Sequence, residues 1–235
     1  MRAAFDRVIS FGYGAVCALR NLTVAVLLAS GAAQAETVTI AAMGDSLTAG
    51  YGLPQGDGFV AQLQRWLQEQ GANVTLVNAG VSGDTTAGGR SRVDWTLTPE
   101  VDAMIVALGG NDYLRGIDPA VSRANLDAIL AAGDAAGVRM LLVGIEAGGN
   151  YGPAYKTAFD GIYTDLAAQY DLPLYPDFFD GLRAAAGSQD GIAPYMQADG
   201  IHPNAQGVAT IVADIGPLIL DLIDATRPPD ATFAQ

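Results

Sequence analysis

The chain contains a single histidine, His202. Any reaction that needs an imidazole to take a proton near neutral pH must use that residue. A serine hydroxyl is a poor nucleophile until such a base removes its proton. Ser46 stands in Gly44-Asp45-Ser46-Leu47, directly after an apolar run with strand character. Asp199 comes three residues before the histidine, in Asp199-Gly200-Ile201-His202-Pro203. On a tight turn, that spacing brings a carboxylate to the second ring nitrogen and fixes tautomer and orientation. Acyl transfer also needs donors aimed at the developing oxyanion. Gly80, in Asn78-Ala79-Gly80-Val81-Ser82-Gly83-Asp84, lets a backbone N–H approach closely. The side-chain amide of Asn111, in Gly109-Gly110-Asn111-Asp112, offers a second donor. Together these residue types describe nucleophilic acyl transfer to a serine.

The elements that must position them follow from hydropathy. Apolar runs with little polar alternation occur at Val38–Ala42, Val74–Asn78, Val101–Leu108, Val138–Gly144 and Leu172–Tyr175. Such runs suit strands covered on both faces, as in a parallel sheet. Between them lie helical spacings. Phe59, Leu63, Trp66 and Leu67 form one apolar face, stopped at Gly71. Asp118-Pro119 reads as a cap followed by proline in the first turn, ahead of a face made by Val121, Leu126, Ile129 and Leu130. Tyr155, Phe159, Ile162, Tyr163 and Leu166 make another face. The strongest stripe runs from Val208 through Ile211, Val212, Ile215, Leu218 and Ile219 to Leu222. The order predicts an α/β fold: a three-layer α/β/α sandwich around one parallel five-stranded sheet. In such sheets functional groups gather beyond the carboxyl ends of the strands, and Ser46, Gly80 and Asn111 all fall there.

Charge and composition narrow the partners. The formal net charge is −13, with 12 Lys+Arg against 25 Asp+Glu. That balance argues against nucleic acid, whose phosphates require clustered cations. Lys156 is the only lysine and no GK[ST] signature exists, so a P-loop is excluded. One Cys and one His build neither a zinc site of the usual N/S type nor an internal disulfide. No metal or cofactor is expected.

Residues 1–35 read as a signal peptide. Arg2, Arg7 and Arg20 give a basic front, Leu22 to Ala33 an apolar core, and Ala33-Gln34-Ala35 a small-x-small cleavage site. The expected product is an exported protein, periplasmic or secreted, without a stable membrane anchor after cleavage. The catalytic domain is expected over residues 36–226, with 227–235 as a C-terminal tail. Asp45, Asp84 and Asp112 are expected to scaffold loops. Tyr51, Leu53, Tyr113, Tyr151 and Met196 are candidates to line an acyl site.

The blocks Gly44-Asp45-Ser46-Leu47, Gly80, Gly109-x-Asn111-Asp112 and Asp199-x-x-His202 resemble the SGNH (GDSL) hydrolase family, in order and across nearly the whole of residues 36–226. The longer strings GDSLTAGYG (44–52), NAGVSGDTTAGG (78–89) and NYGPAY (150–155) are similar to its bacterial exported arylesterase and thioesterase I/lysophospholipase branch. The resemblance implies a flavodoxin-like fold, with Ser46 as nucleophile, His202 as base and Asp199 as its orienting partner. It implies an oxyanion hole from the N–H groups of Ser46 and Gly80 plus the Asn111 amide. It implies small-molecule or lipid ester substrates (aryl, short-acyl or lysophospholipid-like) and acyl thioesters. The alternative is a carbohydrate acetylesterase using the same site. One departure stands out: Glu146-Ala147-Gly148-Gly149 precedes Asn150 where relatives commonly carry prolines or larger residues, a change in the acyl-pocket loop.

Overall fold

The computed structural model describes residues 37–187 and 190–227. The segment read as a signal peptide and the tail beyond Arg227 lie outside the described residues. Five strands form one parallel sheet in the order β2-β1-β3-β4-β5. They are β1 Val38–Gly44, β2 Val74–Gly80, β3 Ala103–Ala107, β4 Arg139–Val143 and β5 Leu174–Tyr175. The reversal of direction beside β1 puts a crevice at the carboxyl ends of β1 and β3.

Among the described residues, eight α-helices connect or flank the strands: α1 Ser46–Ala49, α2 Phe59–Glu69, α3 Thr86–Thr96, α4 Gly110–Leu114, α5 Pro119–Ala135, α6 Pro153–Tyr170, α7 Asp180–Ala186 and α8 Ala205–Thr226. Helices α2, α7 and α8 pack together on one face of the sheet, and α3, α5 and α6 on the other. The three-layer architecture is therefore the one the sequence predicts.

The core follows the stripes. Ile40 to Met43, Ala103 to Val106 and Leu141 to Val143 are buried, as central strands covered on both faces must be. Strand β2 is different. It lies at the sheet edge, and Val77 is 44% exposed, so its apolar run is covered on one face only. On α8, Ile211, Ile215 and Ile219 are fully buried, and Gly216 admits the Trp66 ring of α2 where a Cβ would stand only 2.5 Å from it.

Helix α5 begins as expected. Asp118 accepts a hydrogen bond from the Ala120 N–H at 2.9 Å, and Pro119 follows it. Its buried face is rotated from the predicted one, however. Val121 is 49% exposed and Ser122 is buried in its place. The reason is Asp112, a buried carboxylate on α4. It accepts from the Thr86 N–H at 2.8 Å, the Thr86 hydroxyl at 2.5 Å and the Ser122 hydroxyl at 2.9 Å. A buried charge must be met by such donors. Hydropathy alone does not see a polar residue that is buried because it satisfies another. The network ties α4, which carries Asn111, to α3 and α5.

Candidate active site

Ser46 opens α1 at the end of β1. Its position is held by Asp45, whose Oδ1 accepts from the Leu47 N–H at 3.0 Å. Asp45 is 2% exposed, and burial pushes its carboxyl up from 3.8 to about 6, against the pull of the Leu47 N–H and the Asn111 amide. Its Oδ2 accepts from Asn111 Nδ2 at 3.2 Å. Asp45 thus scaffolds both residues and leaves the second Asn111 amide hydrogen for other partners.

His202 arrives from the opposite end of the chain, on the loop before α8. Its Nε2 lies 2.8 Å from Ser46 Oγ, and its Nδ1 lies 2.7 Å from Asp199 Oδ2. The other Asp199 oxygen accepts from the Ile201 and His202 N–H groups at 2.9 and 3.0 Å. These contacts lower the Asp199 carboxyl from 3.8 to about 2, the His202 N–H contributing most, then the His202 ring and the Ile201 N–H. A carboxylate facing Nδ1 selects the tautomer with hydrogen on Nδ1, so the bare Nε2 accepts the Ser46 hydroxyl.

The loop is clamped on both sides. Gln197 Nε2 donates to the Tyr51 carbonyl at 2.8 Å and the Pro203 carbonyl at 2.9 Å, and its N–H donates to the His202 carbonyl at 2.7 Å. The Tyr51 ring rests on the imidazole with centroids 4.6 Å apart.

Asn111, Ser46, Asp45 and His202 line one cavity of about 530 Å³. Tyr51, Tyr113 and Met196 line it too, as the sequence reading allowed; Leu53 and Tyr151 do not.

Gly80 does not reach this cavity. Its N–H donates to Asn78 Oδ1 at 3.0 Å. A Cβ there would stand 2.4 Å from the Ala49 nitrogen. The glycine lets β2 pass beneath α1, and the N–H expected to serve as an oxyanion donor is engaged by Asn78 of its own strand. Gly83, three residues on, lines the cavity instead. Its φ of +85° is a conformation that glycine adopts without strain. Among the described residues its N–H, like that of Ser46, has no hydrogen-bond partner. The sequence shows both glycines in one loop. Only the backbone path tells which one lines the cleft. That path is fixed by Arg92, which pairs with Asp84 at 2.7 Å and donates to the Ala79 and Gly44 carbonyls at 2.7 and 2.9 Å.

A serine–imidazole–carboxylate chain at the wall of a cleft is equipped for acyl transfer. Residues 42–209 match the model of the GDSL-like lipase/acylhydrolase family. The chain belongs to that family. This hydrolase is 39% identical to Esterase TesA of Pseudomonas aeruginosa over 191 residues, covering 81% of its own length and 92% of the relative's. It is 38% identical to Thioesterase 1/protease 1/lysophospholipase L1 of Escherichia coli K12 over 180 residues, covering 76% and 81%. Among solved structures, the psychrotrophic esterase EstA from Pseudoalteromonas, inhibited by monoethylphosphonate, superimposes with a TM-score of 0.71. It is 32% identical, and the match covers 79% of this chain and 98% of that one. The hydrolase acts on ester bonds, within a family whose members are named as esterases, thioesterases and lysophospholipases. No helix among its described residues is long and apolar enough to cross a membrane.

Proposed function

We propose that this hydrolase cleaves aryl and short-acyl carboxylic esters, and acyl thioesters, through an acyl-Ser46 intermediate. The observation that carries this reading is the unbroken relay from Asp199 through His202 to Ser46 at the wall of the cleft. Ser46 Oγ attacks the substrate carbonyl as its proton passes to His202 Nε2. Asp199 stabilises the imidazolium without itself taking the proton. The oxyanion receives hydrogen bonds from the Ser46 and Gly83 N–H groups and from Asn111 Nδ2. Collapse of the tetrahedral intermediate expels the alcohol or thiol, which takes the proton from Nε2. The same imidazole then draws a proton from water, which attacks the acyl-enzyme and releases the acid. The inhibition of EstA, a relative of this fold, by monoethylphosphonate supports this reading. Residues 1–35 are read as an export signal removed before the enzyme acts.

Treatment with a fluorophosphonate followed by intact mass and peptide mapping tests the reading. One adduct on the peptide containing Ser46 is expected, on a chain starting at Glu36 when recovered from its native host. An adduct elsewhere, or none, overturns the assignment of the nucleophile.

Asn111→Ala is expected to lower kcat roughly 10²–10³-fold, because a donor made only to the oxyanion is removed. Steady-state kinetics on a short p-nitrophenyl ester check this. A loss confined to KM places Asn111 in ground-state binding instead.

A further inference from the structure

The cleft does not stay apolar along its length. It starts at Ser46 and Asn111, passes Tyr113, Ile145 and Ala147, and reaches Asp177, Phe179 and Arg183 beyond β5. The Phe178 N–H donates to the Gly144 carbonyl at 2.9 Å, which lays the segment after β5 across the end of β4. The strand order puts β3 and β4 between β1 and β5, so this end of the cleft lies beyond the loops that hold Asn111 and Ile145. At that far end Arg183 Nη2 donates to Asp177 Oδ2 at 2.5 Å and to Asp180 Oδ1 at 2.6 Å. Glu146 Oε2 stands 4.0 Å from Arg183 Nη1. The Asp177 side chain is 7% exposed and that of Arg183 21%. Burial raises the Asp177 carboxyl, against the stabilising charge of Arg183.

We propose that the Arg183–Asp177 pair closes the acyl limb of the cleft and restricts the enzyme to esters of short acyl chains. This rests on Ser46 being the acylated residue. The leaving oxygen must reach His202 Nε2, so the alcohol departs on the side of Tyr51 and Ile201, next to the imidazole. The acyl group then extends the other way, past Asn111 and Tyr113 toward β4. A short chain ends among Tyr113, Ile145 and Phe179, where burial of methylenes is favourable. A longer one drives its methyl end against a half-desolvated ion pair. It strips the remaining water from Arg183 and offers no hydrogen bond in return. Arg183 and Asp177 are thus specificity-determining residues that act by refusing length.

The test uses p-nitrophenyl esters from acetate to decanoate on the wild type and on the double variant Asp177→Asn/Arg183→Leu. Both charges are removed together, because Arg183→Leu alone strands a buried carboxylate. The wild type is expected to prefer butanoate over decanoate in kcat/KM by at least about tenfold. The double variant is expected to raise the decanoate-to-butanoate ratio by at least about tenfold. An unchanged ratio overturns the proposal. Should the double variant not fold, the wild type decides through inactivation by n-alkyl fluorophosphonates. Rates that fall beyond the short chains support the ceiling, and rates that climb through decyl overturn it. Failure of the Ser46 assignment reads out separately, as an adduct at another residue.

Discussion

Ser46→Ala is expected to lower kcat for p-nitrophenyl butanoate by roughly 10⁴–10⁶-fold, with fluorophosphonate labelling lost. The hydroxyl is the atom that becomes acylated, and no neighbouring group replaces it. Asp45, the nearest carboxylate in sequence, is engaged by the Leu47 N–H and the Asn111 amide. The fold has no reason to change. Ser46 does not take part in capping α1, a task done by Asp45. The measurement is therefore paired: kinetics together with a urea midpoint. An unchanged midpoint with the activity gone isolates chemistry from folding. Retention of more than about a tenth of the wild-type rate sinks the acyl-serine mechanism.

His202→Ala is expected to cost a similar factor, roughly 10⁴–10⁶-fold in kcat, and the two losses are expected not to add in the double variant. Non-additivity is the sharper result. The two groups act as one unit across the 2.8 Å contact, so removing either removes the function of both. The reaction needs His202 with its Nε2 free to accept from Ser46, the tautomer that Asp199 selects. Asp199 stays ionised as it does so, because its carboxyl is lowered to about 2. The sign for stability follows the same shift. A carboxyl lowered from 3.8 to about 2 contributes stability above pH 3.8, and that contribution is lost as pH falls toward 2.

Much of this was legible in the sequence because it depends on residue type. One imidazole leaves one choice of base. The strands read correctly where both faces are covered, and Val38, Ile40 and Leu141 are buried as their runs imply. The helix stripes at Phe59 and Ile211 do the same. What the sequence hid depends on backbone path and on polar satisfaction. Gly80 and Gly83 look equivalent in one loop, yet one clears space for α1 and the other lines the cleft. Val121 fits an apolar stripe, yet Ser122 is buried because Asp112 requires its hydroxyl. Helix α3 carries almost no apolar periodicity, so no stripe marks it in the sequence; its place is set by Thr85, which accepts from the Gly88 N–H, and by the Asp112 network. The Arg183–Asp177 pair lies outside every recognisable motif, since its meaning comes from β5 lying beside β4.

The serine and the imidazole that touch are 156 positions apart. Among the described residues, one opens the helix after β1 and the other lies on the loop before α8. A nascent polypeptide still tethered at the ribosome, or one cut anywhere between the two, holds only half of the reactive pair. The contact is therefore a product of tertiary folding alone, made when the loop before α8 comes to lie against the start of α1.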